Sequence, residues 1–389
     1  MQQSNGQAVE NRGTLSPITI GLLGSLTLMF YTTELAPSGL LTQIAAAFDQ
    51  SLSTVAWLVA IYTLPSAFLA IPLTRFFARF NRRRLLLAII GFLGLMNGVI
   101  ALSPSFSWVF LARLLSGGCA AVFWPMIAPY TLAIAPPLRG GRTIALVLTG
   151  SSLGLSLGVP LTTAIGRWTS WRVTFGLISA LFILITLLGW RYFPTVEGNR
   201  SGKVPHPKTL MKLPGIRVGL AMVMAFVIAQ YSTYVYIQMI AKQAQLNPIV
   251  MQLLFGIGAM GAILVVQRLV DEHLHRILLA VSAFGLIAMI GLLFFIHEPL
   301  LVMLWGIVWG MSFGPLSTLF QTTFTRQVEH NKEIAVSLEA STFDLSIMLT
   351  TFLAGHLFDH WGIQGNLMLA ALAFASAFGL IYRYRQFLQ

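Results

Sequence analysis

The chain has 389 residues, 56% hydrophobic and only 9% charged, with 24 Lys and Arg against 12 Asp and Glu. A water-soluble fold carries roughly 25% charged residues, so the composition excludes one and points to an all-α membrane protein that crosses the bilayer many times. The net charge of +12 reads as loop residues that set topology and not as a nucleic-acid surface.

Residues 1–16 are polar and lack an apolar core, so they read as a cytoplasmic tail and not as a cleaved signal. Apolar stretches long enough to span follow at 17–47, 53–75, 84–103, 106–134, 142–166 and 171–193. After a break come 216–241, 247–267, 277–297, 299–325, 333–357 and 363–382. Twelve spans of about 20–25 residues leave short connections and no room for a soluble domain. The one sizeable polar stretch, 194–215, holds Arg200, Lys203, Lys208 and Lys212 with four prolines, and reads as an extended cytoplasmic linker. The expected organisation is therefore a tail 1–16, a six-helix bundle 17–193, the linker 194–215, a second bundle 216–382 and a tail 383–389.

Basic residues give the orientation. With a cytoplasmic N-terminus, the inner loops hold Arg75, Arg79, Arg82, Arg83, Arg84, Arg139, Arg142, the linker set, Arg268, Arg276, Arg326, Lys332, Arg383 and Arg385. The outer loops hold only Arg167, Arg172 and Lys242, so both termini are expected in the cytoplasm. The halves also echo each other: "YTTEL" (31–35) in span 1 is matched by "YSTYV" (231–235) in span 7. A duplication of six helices is one way that transporters build two bundles that rock about a midplane site.

Charged groups inside hydrocarbon cost a few kcal/mol at least, so each needs a role or a partner. Glu34 lies roughly 25 Å from the cytoplasmic start of span 1, and Arg113 roughly 10 Å from the outer start of span 4. In a core of about 30 Å both fall at similar depth in the outer half. Three readings stand open: Glu34 carries a coupling proton with Arg113 tuning it, the pair only pins span 1 to span 4, or the pair binds substrate. Asp344, mid-span 11, is the second proton candidate, against a hydrogen bond to nearby hydroxyls or backbone. Glu339 is shallow enough to reach the interface.

Tyr31 and Thr32 flank Glu34, and Gln230, Tyr231, Tyr234 and Gln238 recur along span 7, with 230, 234 and 238 on one helical face. These are candidate substrate-lining groups, because Tyr and Gln offer donors, acceptors and stacking faces; the alternative is interfacial tyrosine. Trp124, followed by Pro125, marks a kinked, cavity-facing segment of span 4, and Pro37 is expected to break span 1 beside Glu34. Gly150, Gly154, Gly158 and Pro160 read as a small-residue hinge or closure seam, against ordinary close helix packing. Asn97 and Gln321 are polar and within spans, with no partner legible.

Other motifs fall away. "GSSLG" and "GLSLG" (150–158) fit a nucleophile elbow but lie in an apolar helix, with no histidine placed inside a span to serve as base. "GIGAMG" (256–261) lacks the strand and turn that give a dinucleotide motif its phosphate role. "DEHLH" (271–275) reads as a solvated turn before a metal site, and no P-loop is present. The lone Cys119 excludes an intramolecular disulfide and any cysteine-built zinc site.

"TRFFARFNRRRLLL" (74–87) resembles the loop 2–3 signature of the major facilitator superfamily. "RLLSGGCAA" (113–121) is similar to the arginine motif of its proton-coupled members, and "GSSLGLSLGVPL" (150–161) to the glycine-proline motif of its antiporters. "TSWRVTFGLI" (169–178) resembles the start of span 6 in many bacterial exporters. With "TTELAPSGLL" (32–41), "FWPMIAPYTLAIAP" (123–136) and "AQYSTYVYIQ" (229–238), the chain resembles the sugar efflux transporters of the drug:proton antiporter-1 group. The resemblance implies twelve transmembrane helices in two six-helix bundles, in a bacterial inner membrane, exporting sugars or sugar-like molecules in exchange for protons. It implies no cofactor beyond the proton, no nucleic-acid partner and a monomer in the bilayer. Multidrug export is the alternative, and a non-transporting receptor on the same fold a third reading. Arg79, Arg82, Arg83 and Arg84 supply the loop's basic run, but Ala78 stands for its acid and Asn81 for its glycine. Gln238 stands where close relatives are expected to carry an acid.

Overall fold

The computed structural model describes residues 16–77, 79–136, 140–198, 210–328 and 332–387, and these are helices and their connections. Span 1 is Pro17–Phe48, opened by Ser16, whose hydroxyl accepts from the Ile18 amide, and closed by Asp49 in the left-handed region. Spans 2, 3, 4 and 6 are Leu52–Phe77, Arg82–Leu102, Phe106–Ile134 and Trp171–Tyr192. Span 5 runs through Gly140–Leu153, a π-helical stretch Gly154–Gly158, and Val159–Trp168.

In the second half, span 7 is Pro214–Tyr234 followed by a short helix Ile237–Gln243. Spans 8 and 9, Pro248–Val270 and Glu272–Phe295, meet at a kink where His273 leaves helical geometry at φ −128°. The "DEHLH" segment is thus a turn between spans. Span 10 is Pro299–Phe313 and Leu316–Arg326, interrupted at Gly314–Pro315. Spans 11 and 12 share the helix Lys332–Arg383, broken at Gly362 with φ 62° and ψ −158°, a backbone that only glycine adopts readily. Among the described residues eleven helices are long and apolar enough to cross a membrane, and the break at Gly362 divides the last of them into two.

Span 1 packs on spans 2, 5 and 6, span 2 on span 4, and span 3 on spans 4 and 6. In the other half, spans 8 and 9 pack on span 10, and span 7 on the helix of spans 11 and 12. The halves meet where span 2 lies along span 11, with Trp57 stacked on Phe352, and where spans 1 and 5 face span 8. Apolarity is arranged from the outside in. Leu95, Leu187, Phe294 and Leu372 face outward, while span 1 buries Thr27, Thr32, Thr33, Glu34 and Ser38. Such an arrangement suits a lipid solvent around a polar interior.

Two prolines shape the helices differently from expectation. Span 1 is not broken at Pro37; it continues as helix to Phe48. In span 5, Pro160 has no amide hydrogen to give the Ser156 carbonyl, and the helix widens there, with the Val159 amide bonding to Gly154 five residues back.

Candidate functional site

Arg113 is fully buried and organises the centre of the first half. Its Nε donates to the Leu58 carbonyl at 2.9 Å, Nη1 to the Thr33 carbonyl at 2.7 Å and Nη2 to the Glu34 carbonyl at 2.8 Å. The Thr33 carbonyl is the one that Pro37, four residues on, leaves without its helical donor. Arg113 therefore supplies the donor that Pro37 lacks. Its guanidinium also lies 4.4 Å from the centre of the Tyr62 ring. The expected partnership with Glu34 exists, but through the Glu34 main chain, with the carboxylate left to electrostatic influence across space.

Glu34 itself is 7% exposed. Its electrostatic neighbours are Asp344 of span 11, Arg113, Tyr31, Tyr62 and Tyr231. Two carboxyls from opposite halves therefore share one cluster with one guanidinium. Asp344, partly exposed, sits beside Ser66 of span 2 and within the field of Glu339, which is buried. Tyr31 and Tyr231, the echoed tyrosines of spans 1 and 7, are neighbours across the two halves. The hydroxyl of Tyr231 lies against Tyr31, while those of Tyr62 and Tyr234 are buried without hydrogen-bond partners, as are those of Thr32 and Thr33. Buried polar atoms are seldom left so in a native interior.

Of the shared face expected for 230, 234 and 238, Gln230 and Tyr234 keep their part, both meeting Trp309, but Gln238 leaves it, because the helix of span 7 stops at Tyr234 and restarts at Ile237. Gln230 turns into its own half: Trp309 Nε1 donates to its Oε1 at 2.7 Å, and its Nε2 donates to Ser312 Oγ at 2.9 Å. Gln238 instead turns to the other half, donating to the Gly39 carbonyl and accepting from Thr42 Oγ1 at 3.3 Å. Tyr231 packs among Phe313 and Phe343, and Tyr234 among Phe255, Trp309 and Phe313. Trp124 is partly buried with its ring against Phe30 and Phe123. Trp309→Phe is expected to lower stability by about 1–3 kcal/mol, the cost of a buried acceptor left unpaired at Gln230. The thermal unfolding midpoint in detergent measures it, and an unchanged midpoint would remove the tether.

Gly150, Gly154 and Gly158 press on span 1. A Cβ on them would collide with the Gly24 carbonyl, approach the Leu28 carbonyl to 2.7 Å and collide with Thr32 Oγ1 respectively. Across the seam, a Cβ on Gly256 of span 8 would lie 2.5 Å from the Ser156 carbonyl. The two halves also join at the end opposite the basic loops: Arg167 Nη1 donates to Asn247 Oδ1 at 2.8 Å, near the Gln238–Gly39 bond. This end of the molecule is closed.

Comparison with known proteins matches residues 22–332 to the family model of the Major Facilitator Superfamily. The chain belongs to that superfamily. A probable sugar efflux transporter of Helicobacter pylori (strain HPAG1) is 27% identical over 328 residues, 82% of this chain and 83% of that one. Another, from Pasteurella multocida (strain Pm70), is 25% identical over 381 residues, 96% of this chain and 93% of that one. Among solved structures, a peptide transporter superposes with a TM-score of 0.77 at 13% identity, covering 98% of this chain and 99% of its own. The nucleoside transporter NupG gives 0.74 at 11% identity, over 96% of this chain and 99% of its own.

Within this superfamily fold, loop 2–3 is fastened by unexpected partners. Ala78 lies outside the described residues. Asn81 caps span 3 by accepting from the Arg84 amide at 3.2 Å, and its Nδ2 donates to Glu197 Oε1 at 3.3 Å. The Arg82 amide bonds to the Val196 carbonyl at 2.8 Å, Arg83 donates to the Trp190 carbonyl, and Arg79 stacks over Phe76 and Phe80. An acid from the start of the linker thus meets the loop that lacks its own. Sequence reasoning missed Glu197, Tyr62, Trp309 and Gln252. Asn97 donates to the Leu93 carbonyl one turn back at 2.8 Å, and Gln321 stays exposed.

Proposed function

We propose that this protein exports sugars or sugar-like small molecules from the cytoplasm in exchange for protons, by alternating access, as a monomer in a bacterial inner membrane. Both termini and the 194–215 linker then face the cytoplasm, and the closed end faces outward. The observation that carries the proposal is that Glu34 lies within electrostatic reach of both Asp344, the carboxyl from the other half, and Arg113. Arg113 spends its donors on backbone carbonyls, so its charge stays in place whatever the carboxyls do. One fixed cation balances one carboxylate, so the cluster is neutral with one proton bound and negative without it. Bringing the halves together around an unprotonated cluster sets two like charges against each other, and a bound proton relieves that. Protonation and rocking are in this way linked. Glu34 takes the proton and Asp344 is the alternative carrier.

The unpaired hydroxyls of Tyr62, Tyr234 and Thr32 suit a polyhydroxylated substrate, and two of the similar proteins are named as probable sugar efflux transporters. Multidrug export is the second reading, favoured by the ring cluster of Tyr234, Phe255, Trp309 and Phe313, which offers faces to flat molecules. Respiring everted membrane vesicles decide between them by substrate-induced proton release. They are challenged with arabinose, thiogalactosides and cationic drugs. The expected result is release with sugars in the wild type and none above background with Glu34→Gln. Release with drugs alone moves the assignment to multidrug export. Release that survives Glu34→Gln moves the carrier to Asp344, and none with any compound overturns the exchange.

A further inference from the structure

Gln252 of span 8 is 1% exposed, yet neither its Oε1 nor its Nε2 has a hydrogen-bond partner. The side chain reaches across to the first half: its Nε2 lies 3.5 Å from where a Cβ on Gly39 of span 1 would sit. One turn further along span 8, on the same face, Gly256 lies against the backbone of Ser156 in the π-helical stretch of span 5. Ser156 Oγ is buried and unpaired too. An amide of span 8 and a hydroxyl of span 5 therefore line the boundary between the halves at the closed end. Neither is satisfied while that end is closed.

A glutamine amide sets one acceptor beside two donors. Neighbouring hydroxyls on a sugar ring offer the complementary pair. An apolar side chain of the same length would fill this seam without leaving polar atoms unpaired, so the amide is retained for the state in which spans 1 and 8 part. We propose that Gln252, with Ser156 one turn further along the same boundary, is an exit-side subsite that binds a vicinal diol of the substrate as the closed end opens. This rests on the sugar-export reading above and adds to it the residues that read the hydroxyls and the direction from which they do so.

The test is exchange transport in proteoliposomes, with whichever of arabinose and isopropyl thiogalactoside the wild type exchanges. The monodeoxy analogues of that sugar serve as competitors. A site built to hydrogen-bond a hydroxyl discriminates strongly against the analogue lacking it. The wild type is expected to bind at least one deoxy analogue about tenfold more weakly than the parent sugar. Gln252→Met removes the amide at nearly constant volume, and there the preference is expected to fall to about twofold or less because the parent weakens to the level of the analogue. Ser156→Ala, which changes little volume, is expected to show the same collapse to a smaller extent, and serves if the methionine variant does not reconstitute. Discrimination that persists in both variants overturns the subsite. So does a change in turnover alone with every affinity constant, which would make Gln252 a gate residue. A wild type that exchanges sugars without discriminating overturns this inference and leaves export standing; one that exchanges no sugar overturns the export reading itself.

Discussion

Arg113→Met is expected to be among the most damaging single substitutions in the chain, and Pro37→Ala is expected to rescue part of the damage. The Leu58 and Glu34 carbonyls keep the amides of Tyr62 and Ser38 as ordinary helical donors when the guanidinium is gone. The Thr33 carbonyl keeps nothing, because residue 37 is proline. A buried acceptor left without a donor costs about 1–3 kcal/mol, and the lost contact with Tyr62 adds about 0.5–2 kcal/mol. In the double variant the alanine that replaces Pro37 supplies an amide at the right place, so about 1–3 kcal/mol should return. Thermal unfolding midpoints of the four proteins in one detergent make the cycle. A double variant no more stable than Arg113→Met alone would show that the bond to Thr33 is incidental. Arg113→Lys adds a further distinction: it keeps the charge but cannot reach three carbonyls in a planar fork. Proton release lost in the lysine variant, with a midpoint close to wild type, would place the guanidinium's geometry in the transport cycle as well as in the fold.

Much of this architecture is written in simple features of the chain. Apolar length fixes the spans, and the one polar stretch at 194–215 falls between the sixth and the seventh. The glycines at 150, 154 and 158 signalled close approach, and spans 1 and 5 touch there. Depth arithmetic brought Glu34 and Arg113 to one level in the bilayer. It could not show which oxygen the arginine would meet, since that depends on helix rotation. The clue lay in Pro37, because subtracting four residues names the carbonyl that needs a donor. The same subtraction from Pro160 gives Ser156, where the helix widens. Span 7 misled for a related reason: spacing assigns 230, 234 and 238 to one face only while the helix is continuous, and it is interrupted after Tyr234. Gln252 left no trace in a hydropathy average, and Tyr62 read as one more aromatic in an apolar run. Their importance comes from what lies opposite them, on helices distant in sequence.

Gly39→Ala should hold the closed end open, and Thr163→Ala should let it close again. A methyl on Gly39 would run into Thr163 Oγ1, which is held by a 3.0 Å bond to the Val159 carbonyl and cannot simply swing aside. The Thr163 Cβ, in contrast, would stand 3.4 Å from the new methyl, a contact that needs little or no movement. The Gly39 carbonyl is also what Gln238 grips from the other half, so displacing span 1 weakens the bond that joins the halves. Overpacking of this kind costs about 1–3 kcal/mol, and about 1.4 kcal/mol shifts a two-state equilibrium tenfold. The open population should therefore rise by about one to two orders of magnitude. Spin labels on Gln50 and Gln245, exposed positions on opposite halves at that end, in a Cys119→Ser background, report it as a longer inter-label distance. The double variant is expected to regain the wild-type distance distribution and most of the exchange rate. If Gly39→Ala leaves the distances unchanged, the contact between spans 1 and 5 is not what holds the end shut, and the Arg167–Asn247 bond becomes the latch to break next. If the distances lengthen but Thr163→Ala does not shorten them, the methyl acts through Gln252 instead, the next atom it approaches at 3.5 Å.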